Sequence, residues 1–114
     1  MNTGDLWQWH LSTHPHHAIL TLAGELDLTT STHLEDLLAT TLPSHPILTI
    51  DIAQVTFLDS TIISTLITAW RNAHTTGGNL TLQHPTGHVR RVLTITGVLD
   101  LLAPPDSATT TQAG

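Results

Sequence analysis

Neither cysteine nor lysine occurs anywhere in the 114 residues. The first absence excludes disulfides, thiolate catalysis and cysteine zinc sites. The second excludes a P-loop, whose lysine must reach the phosphates, and a Schiff-base nucleophile. Positive charge is scarce: Arg71, Arg90 and Arg91 stand against nine acids, for a formal net charge of −6. Affinity for nucleic acid comes mainly from Lys and Arg neutralising phosphates, so a phosphate-backbone binder is not expected. No apolar run approaches the roughly 18–20 residues of a membrane span, and no basic-then-apolar segment opens the sequence. A soluble, cytoplasmic protein is the expectation.

Threonine fills much of the space that charge leaves, with 22 copies against 11% charged residues. Hydrophobic residues make up only 39%, yet mean hydropathy is +0.11. So little charge, with Leu, Ile and Val regularly spaced, is the composition of a folded chain rather than a disordered one. The length suits one hydrophobic core.

Trp7, Trp9 and Leu11 alternate as in a half-buried strand, and Pro15 among His14, His16 and His17 marks a turn. Ala18 to Ala23 is the second strand of a hairpin, ended by Gly24. A helix follows, with Leu34, Leu37, Leu38 and Leu42 at helical spacing up to Pro43. Its start reads as a Thr32-x-x-Glu35 capping box, with Thr29 or Thr30 as alternative caps. Ile47 to Ile52 is β-branched and nearly continuous, as in a strand buried on both faces. Phe57-Leu58-Asp59-Ser60 turns into a second helix, with Ile63, Leu66, Ile67 and Trp70 on one face, stopped by Gly77-Gly78. Leu80 to Leu82 is a short strand. A third helix, with Val89, Val92 and Leu93 inward, ends at Gly97. Val98 to Leu102 reads as a last strand. Residues 1–5 form a polar lead-in, 6–102 one domain, and 103–114, with Pro104-Pro105, a disordered tail. The order β-β-α-β-α-β-α-β predicts a mixed α/β sheet opened by an antiparallel hairpin, with amphipathic crossover helices.

In open α/β sheets the working surface lies beyond the carboxyl ends of the parallel strands. Ser60 falls there, at a helix start where free backbone N–H groups and the helix dipole favour an anion. Its hydroxyl can carry a phosphate or simply cap the helix.

Four landmarks occur in order: Leu22-Ala23-Gly24-Glu25-Leu26-Asp27, Phe57-Leu58-Asp59-Ser60-Thr61, Gly77-Gly78-Asn79-Leu80-Thr81-Leu82, and Val89-Arg90-Arg91-Val92-Leu93 with Gly97. Together they resemble the STAS domain, and specifically the anti-sigma factor antagonists, over roughly residues 5–102. The resemblance implies a binding module rather than an enzyme, and no cofactor or metal is expected. It implies a partner that is an anti-sigma factor and a serine/threonine kinase of the ATPase type. Binding would free a sigma factor, and phosphorylation of the serine after the Asp would end the association. By position that serine is Ser60, with Asp27 and Asp59 as its acidic surround and Thr61, Ile62 and Ser64 as further partner contacts. The family usually has Gly where Ile62 stands; Ile62 either crowds the acceptor or turns inward with Leu66 and Ala69. The family's helix after the last strand is missing from the pattern, which would open apolar surface to a second copy. STAS domains also serve as regulatory parts of membrane transporters, including a small subunit of lipid-transport ABC systems, which is the alternative function.

Other chemistries fit less well. His14, His16 and His17 offer imidazole ligands to a metal but no organised fourth ligand. No Gly-x-Ser-x-Gly surrounds Ser60, against a hydrolase triad. Asp51 sits where a receiver-domain phosphoacceptor would, but that chemistry normally needs a lysine. Arg90 and Arg91 read as a solvated helix face.

Overall fold

The computed structural model describes residues 7–103. The expected lead-in at 1–5 and most of the expected tail lie outside these residues. Eight elements run in the order β1 (Trp7–Thr13), β2 (His17–Leu26), α1 (Leu28–Thr41), β3 (Ile47–Leu58), α2 (Ser60–Thr75), β4 (Asn79–Gln83), α3 (Gly87–Ile95) and α4 (Val98–Leu102). The four strands form one sheet in the order β1-β2-β3-β4. β1 and β2 are an antiparallel hairpin, and β2, β3 and β4 run parallel. The mixed sheet with crossover helices is therefore as the sequence predicts, apart from its last element.

Alternation along the strands decides where the core sits. Ala18, Leu20 and Leu22 on β2, Leu48, Ile50 and Ile52 on β3, and Leu80 and Leu82 on β4 are all buried. Against them pack Leu34 and Leu38 of α1, Ile62 and Leu66 of α2, Val89 and Leu93 of α3, and Val98 and Leu102 of α4. The residues between are only half-buried or exposed, among them Ile19, Thr21, Thr49, Asp51 and Thr81. This corrects the reading of Ile47–Ile52 as buried on both faces: Ile47 is 45% exposed, because one side of the sheet is left open. β3 is also longer than its apolar run, reaching Leu58, since Val55 and Leu58 still find the core after the strict alternation has ended.

Val98–Leu102 is a helix rather than a strand. Its buried residues are Val98 and Leu102, spaced by four, with Leu99 packed beside them, which is a helical stripe that a five-residue window shares with a short strand. Gly97, at φ +80, provides the left-handed turn between α3 and α4. With α4 present, the reason for expecting a bared apolar surface after the last strand falls away.

One helix differs from expectation in phase. In α2 the wholly inward stripe is Ile62, Leu66, Ala69 and Ala73, while Ile63, Ile67 and Trp70 flank it, partly buried. In α3 Val89 and Leu93 are buried and Val92 is partly so. Trp7, Trp9 and Leu11 do share a face, with Trp7 buried, Leu11 partly buried and Trp9 42% exposed.

The turn between α2 and β4 is closed by a tight approach. The N–H of Gly78 donates to the carbonyl of Ala73, and the N–H of Asn79 to that of Pro46. A Cβ on Gly78 would collide with the Pro46 carbonyl, a backbone group with no freedom to yield. Gly78→Ala is expected to lower stability by about 1–3 kcal/mol, measured as a reduced urea midpoint with unchanged slope.

Candidate functional site

β2 and β3 lie side by side and parallel, so their carboxyl ends, Leu26 and Leu58, are paired in register. Each strand gives way at once to an aspartate and then a helix. Asp27 is the N-cap of α1 and Asp59 the N-cap of α2, both with extended backbone. Two helix N-termini are thereby set side by side at one edge of the molecule.

Asp59 holds the arrangement together. Its Oδ1 accepts the N–H groups of Thr61 and Ile62 at 3.0 and 3.1 Å. Its Oδ2 accepts the N–H of Leu28, the first residue of the other helix, at 3.1 Å. One half-buried carboxylate thus satisfies donors from both helix starts, of the kind a helix leaves unpaired.

Asp27 caps its own helix. Its Oδ1 accepts the Thr29 hydroxyl at 2.6 Å and the Thr29 N–H at 2.9 Å. Its backbone N–H donates to the Thr30 hydroxyl at 3.0 Å, completing a capping box. The cap expected at Thr32-x-x-Glu35, or at Thr29 or Thr30, therefore lies at Asp27, with Thr30 in the reciprocal role. An Asp three residues before Thr satisfies the same logic as Ser/Thr before Glu. The Thr29 hydroxyl first, then the Thr29 N–H, holds the Asp27 carboxyl below the usual aspartate range.

Ser60 is the first residue of α2 and is exposed. Because Asp59 performs the capping, the Ser60 hydroxyl is not committed to the helix start. Ser64, one turn on, is exposed beside it, and Thr61 is half-buried. Ile62 is different: it is fully buried, among the core residues with Leu66 and Ala69. It cannot touch a docked partner, which corrects its placement among the contact residues. The reason is helical geometry, which turns the residue two after Ser60 towards the sheet.

Two residues of this surface escaped the sequence reading. Leu28 is 66% exposed and Phe57 is 40% exposed, both large apolar groups that the fold leaves out of the core. The available signal was position: Leu28 follows an N-cap aspartate, off the Leu34–Leu38 stripe, and Phe57 points away from buried Leu58. A separate cavity of about 570 Å3 opens between the later turns of α1 and α2, lined by Leu38, Leu42, Pro46 and Ala69. It lies away from Ser60 and the two caps. At the hairpin tip the His14 and His17 rings stack at 4.5 Å, and among the described residues no three His, Asp or Glu side chains gather as a metal site.

Removing the Asp59 carboxylate leaves Leu28, Thr61 and Ile62 without their acceptor. Asp59→Ala is expected to cost about 1–2 kcal/mol, read by chemical denaturation. Thr29→Val should raise the Asp27 titration towards the ordinary aspartate value, followed by carboxyl NMR. In the parent protein the depressed value means that the stabilisation from these bonds is present at neutral pH. It is lost only as pH falls through the Asp27 value, below the ordinary range of about 3.9.

A family model described as Mlab, STAS domain, matches residues 9–103. The fold is similar to that of the anti-sigma factor antagonist SpoIIAA of Bacillus in its unphosphorylated form. That comparison gives 19% identity and a TM-score of 0.73, covering 80% of this chain and 82% of the other. An anti-sigma factor antagonist from Mycobacterium paratuberculosis is 24% identical with a TM-score of 0.71, over 100% of both chains. A sulfate transporter family protein from Wolinella succinogenes is 14% identical with a TM-score of 0.68, over 84% of this chain and 78% of that one. No curated protein matches the sequence. The family match spans nearly all the described residues and includes both caps and Ser60, and on that ground the chain belongs to the STAS domain family.

Proposed function

We propose that this protein is an anti-sigma factor antagonist: a non-catalytic module that binds an anti-sigma factor kinase and is released by phosphorylation of Ser60. The observation that supports this reading most is that Ser60 is exposed at the first position of α2 while its neighbour Asp59 does the capping. A hydroxyl freed from structural duty, between two helix N-termini, is available to a kinase. The fold-level likeness to two anti-sigma factor antagonists agrees with it.

The docking surface consists of Ser60, Ser64 and the exposed part of Thr61, rimmed by the apolar side chains of Leu28 and Phe57. Apolar groups beside a small polar centre are what an interface core needs. Asp27 and Asp59 act behind it, fixing the two helix starts and adding negative charge. Ile62 supports from within, so its bulk does not obstruct the acceptor.

Phosphorylation would add about −1.5 to −2 charges at pH 7. Per unit of charge, the helix N-terminus favours it by roughly 0.3–1 kcal/mol, while one like charge about 4 Å away in water disfavours it by about 1 kcal/mol. These opposing terms are of one size, so α2 keeps its start. The switch acts on the partner, whose surface would have to bury a dianion beside two aspartates.

A transporter-regulatory role is the second reading, supported by the likeness to a sulfate transporter family protein. Pulldowns from the source organism's lysate with the wild type and Ser60→Glu separate the two. Capture of an ATPase-type kinase by the wild type, reduced at least tenfold by Ser60→Glu, is expected. Equal capture by both would remove Ser60 as the switch, and capture of a permease–ATPase complex would replace the sigma-regulatory reading. Leu28→Ala should weaken the same capture without lowering the melting temperature, since Leu28 is outside the core.

A further inference from the structure

Among the described residues, the outer edge of β1 has no strand paired with it. Trp7–Thr13 is seven residues long and contains no Pro, Lys, Arg, Asp or Glu. Its pairing with β2 runs from Trp7↔Gly24 to Thr13↔Ala18 without a register shift, whereas β2 against β3 is bulged twice. Proteins normally guard such an edge with charge, proline, a bulge or a short strand. The opposite edge has that last protection, since β4 is only five residues and runs into His84-Pro85. The helical layer meets β1 on one face, where the His33 ring of α1 lies edge-on to Trp7 and Trp9 at 5.3 and 5.9 Å, and leaves that outer edge without a partner among the described residues.

We infer that β1 is a self-pairing edge, and that two copies join through antiparallel β1 strands into an eight-stranded sheet. Symmetry and length together fix the register. A two-fold axis between antiparallel strands stands perpendicular to the sheet, so opposed residues must be of the same face and their numbers sum to an even value. Full overlap of Trp7–Thr13 then requires a sum of twenty. Trp9 faces Leu11 of the second copy, Trp7 faces Thr13, and Gln8 faces Ser12. His10 faces itself across the axis.

This pairing is chemically self-consistent. Trp9, 42% exposed in the single chain, gains an apolar cross-strand neighbour on each side of the axis. The open face contributes uncharged polar pairs. Seven residues of strand make a small contact, placing the dimer in the weak, concentration-dependent class.

The axis also carries a proton-sensitive element. Opposed residues in antiparallel strands have Cα atoms about 4.5–5.5 Å apart. Two neutral imidazoles are tolerated there and two imidazolium ions repel. Within the chain His10 is faced by Thr21 of β2 and flanked by Gln8 and Ser12. The other titratable groups on that face are His17 and Glu25 near the two ends of β2, Asp51, opposite Thr21 on β3, and His84, which lies 3.4 Å from Asp51. His33 of α1 sits on the other face against Trp7 and Trp9. Asp51 stands two strands from His10 and His84, just past β4, three. Global charge pulls the other way, because the chain approaches neutrality near its pI of about 5.7, which favours association. Acid dissociation of the dimer would therefore report the local pair.

Sedimentation equilibrium of the full chain up to high concentration tests this at about pH 8 and about pH 5.5, either side of the free imidazole value. The wild type should dimerise at the higher pH and weaken at least tenfold at the lower. His10→Gln should dimerise equally at both, and His10→Lys should be monomeric at both with unchanged circular dichroism and melting. A wild type that stays monomeric at pH 8 overturns the inference. So does a dimer that His10→Lys leaves intact, or an acid weakening that persists in His10→Gln. Ser60→Glu should dimerise as the wild type does, which separates this edge from the proposed kinase-docking site.

Discussion

A single carboxylate organises the working end of this molecule. Asp59 accepts from Thr61 and Ile62 on its own helix and from Leu28 on the neighbouring one. Parallel pairing of β2 and β3 brings both helices to the same edge, but pairing alone would leave their first turns free to fray. The Asp59 bridge makes the two starts one rigid surface. Ser60, Ser64 and Leu28 take their positions from these capped helix starts, and Phe57 from the pairing of β3 with β2.

The division of labour between adjacent residues follows. Asp59 is half-buried and structural, and Ser60 is exposed and chemically idle within the fold. Ile62 then turns the helix's other side into the core. Three residues in four thus serve three purposes: anchoring, display and burial. A glycine in place of Ile62 would leave the display unchanged and weaken the burial beneath it.

Much of the fold was legible because its signals are local and periodic. The hairpin, the Leu34–Leu38 helix, the apolar run of β3 and the glycine stop before β4 all carry their own pattern. Val98–Leu102 failed because five residues cannot distinguish a period of two from one of 3.6, and only packing of Val98 and Leu102 against the other helices resolves it. The open face of the sheet was hidden for another reason: Thr49 and Asp51 are small enough to interrupt an apolar run without ending it. At the site, the Asp59-Ser60 pair could be placed from sequence, whereas the bond from Leu28 to Asp59 spans 31 residues and is invisible without the strand pairing. Leu28 and Phe57 were missed because a lone apolar residue has no periodicity to announce which way it points.

The placement of histidine has a consequence of its own. Eight of the nine imidazoles are exposed and His45 is half-buried, so none is enclosed in the core. Protonating all nine would move the formal charge from −6 to +3. The chain's net charge therefore reverses sign below the pI of about 5.7, while its buried side chains among the described residues, chiefly Leu, Ile, Val and Ala, include no Asp, Glu or His. Its response to acidification is colloidal before it is conformational: solubility and long-range attraction change first, over a scaffold that has not moved.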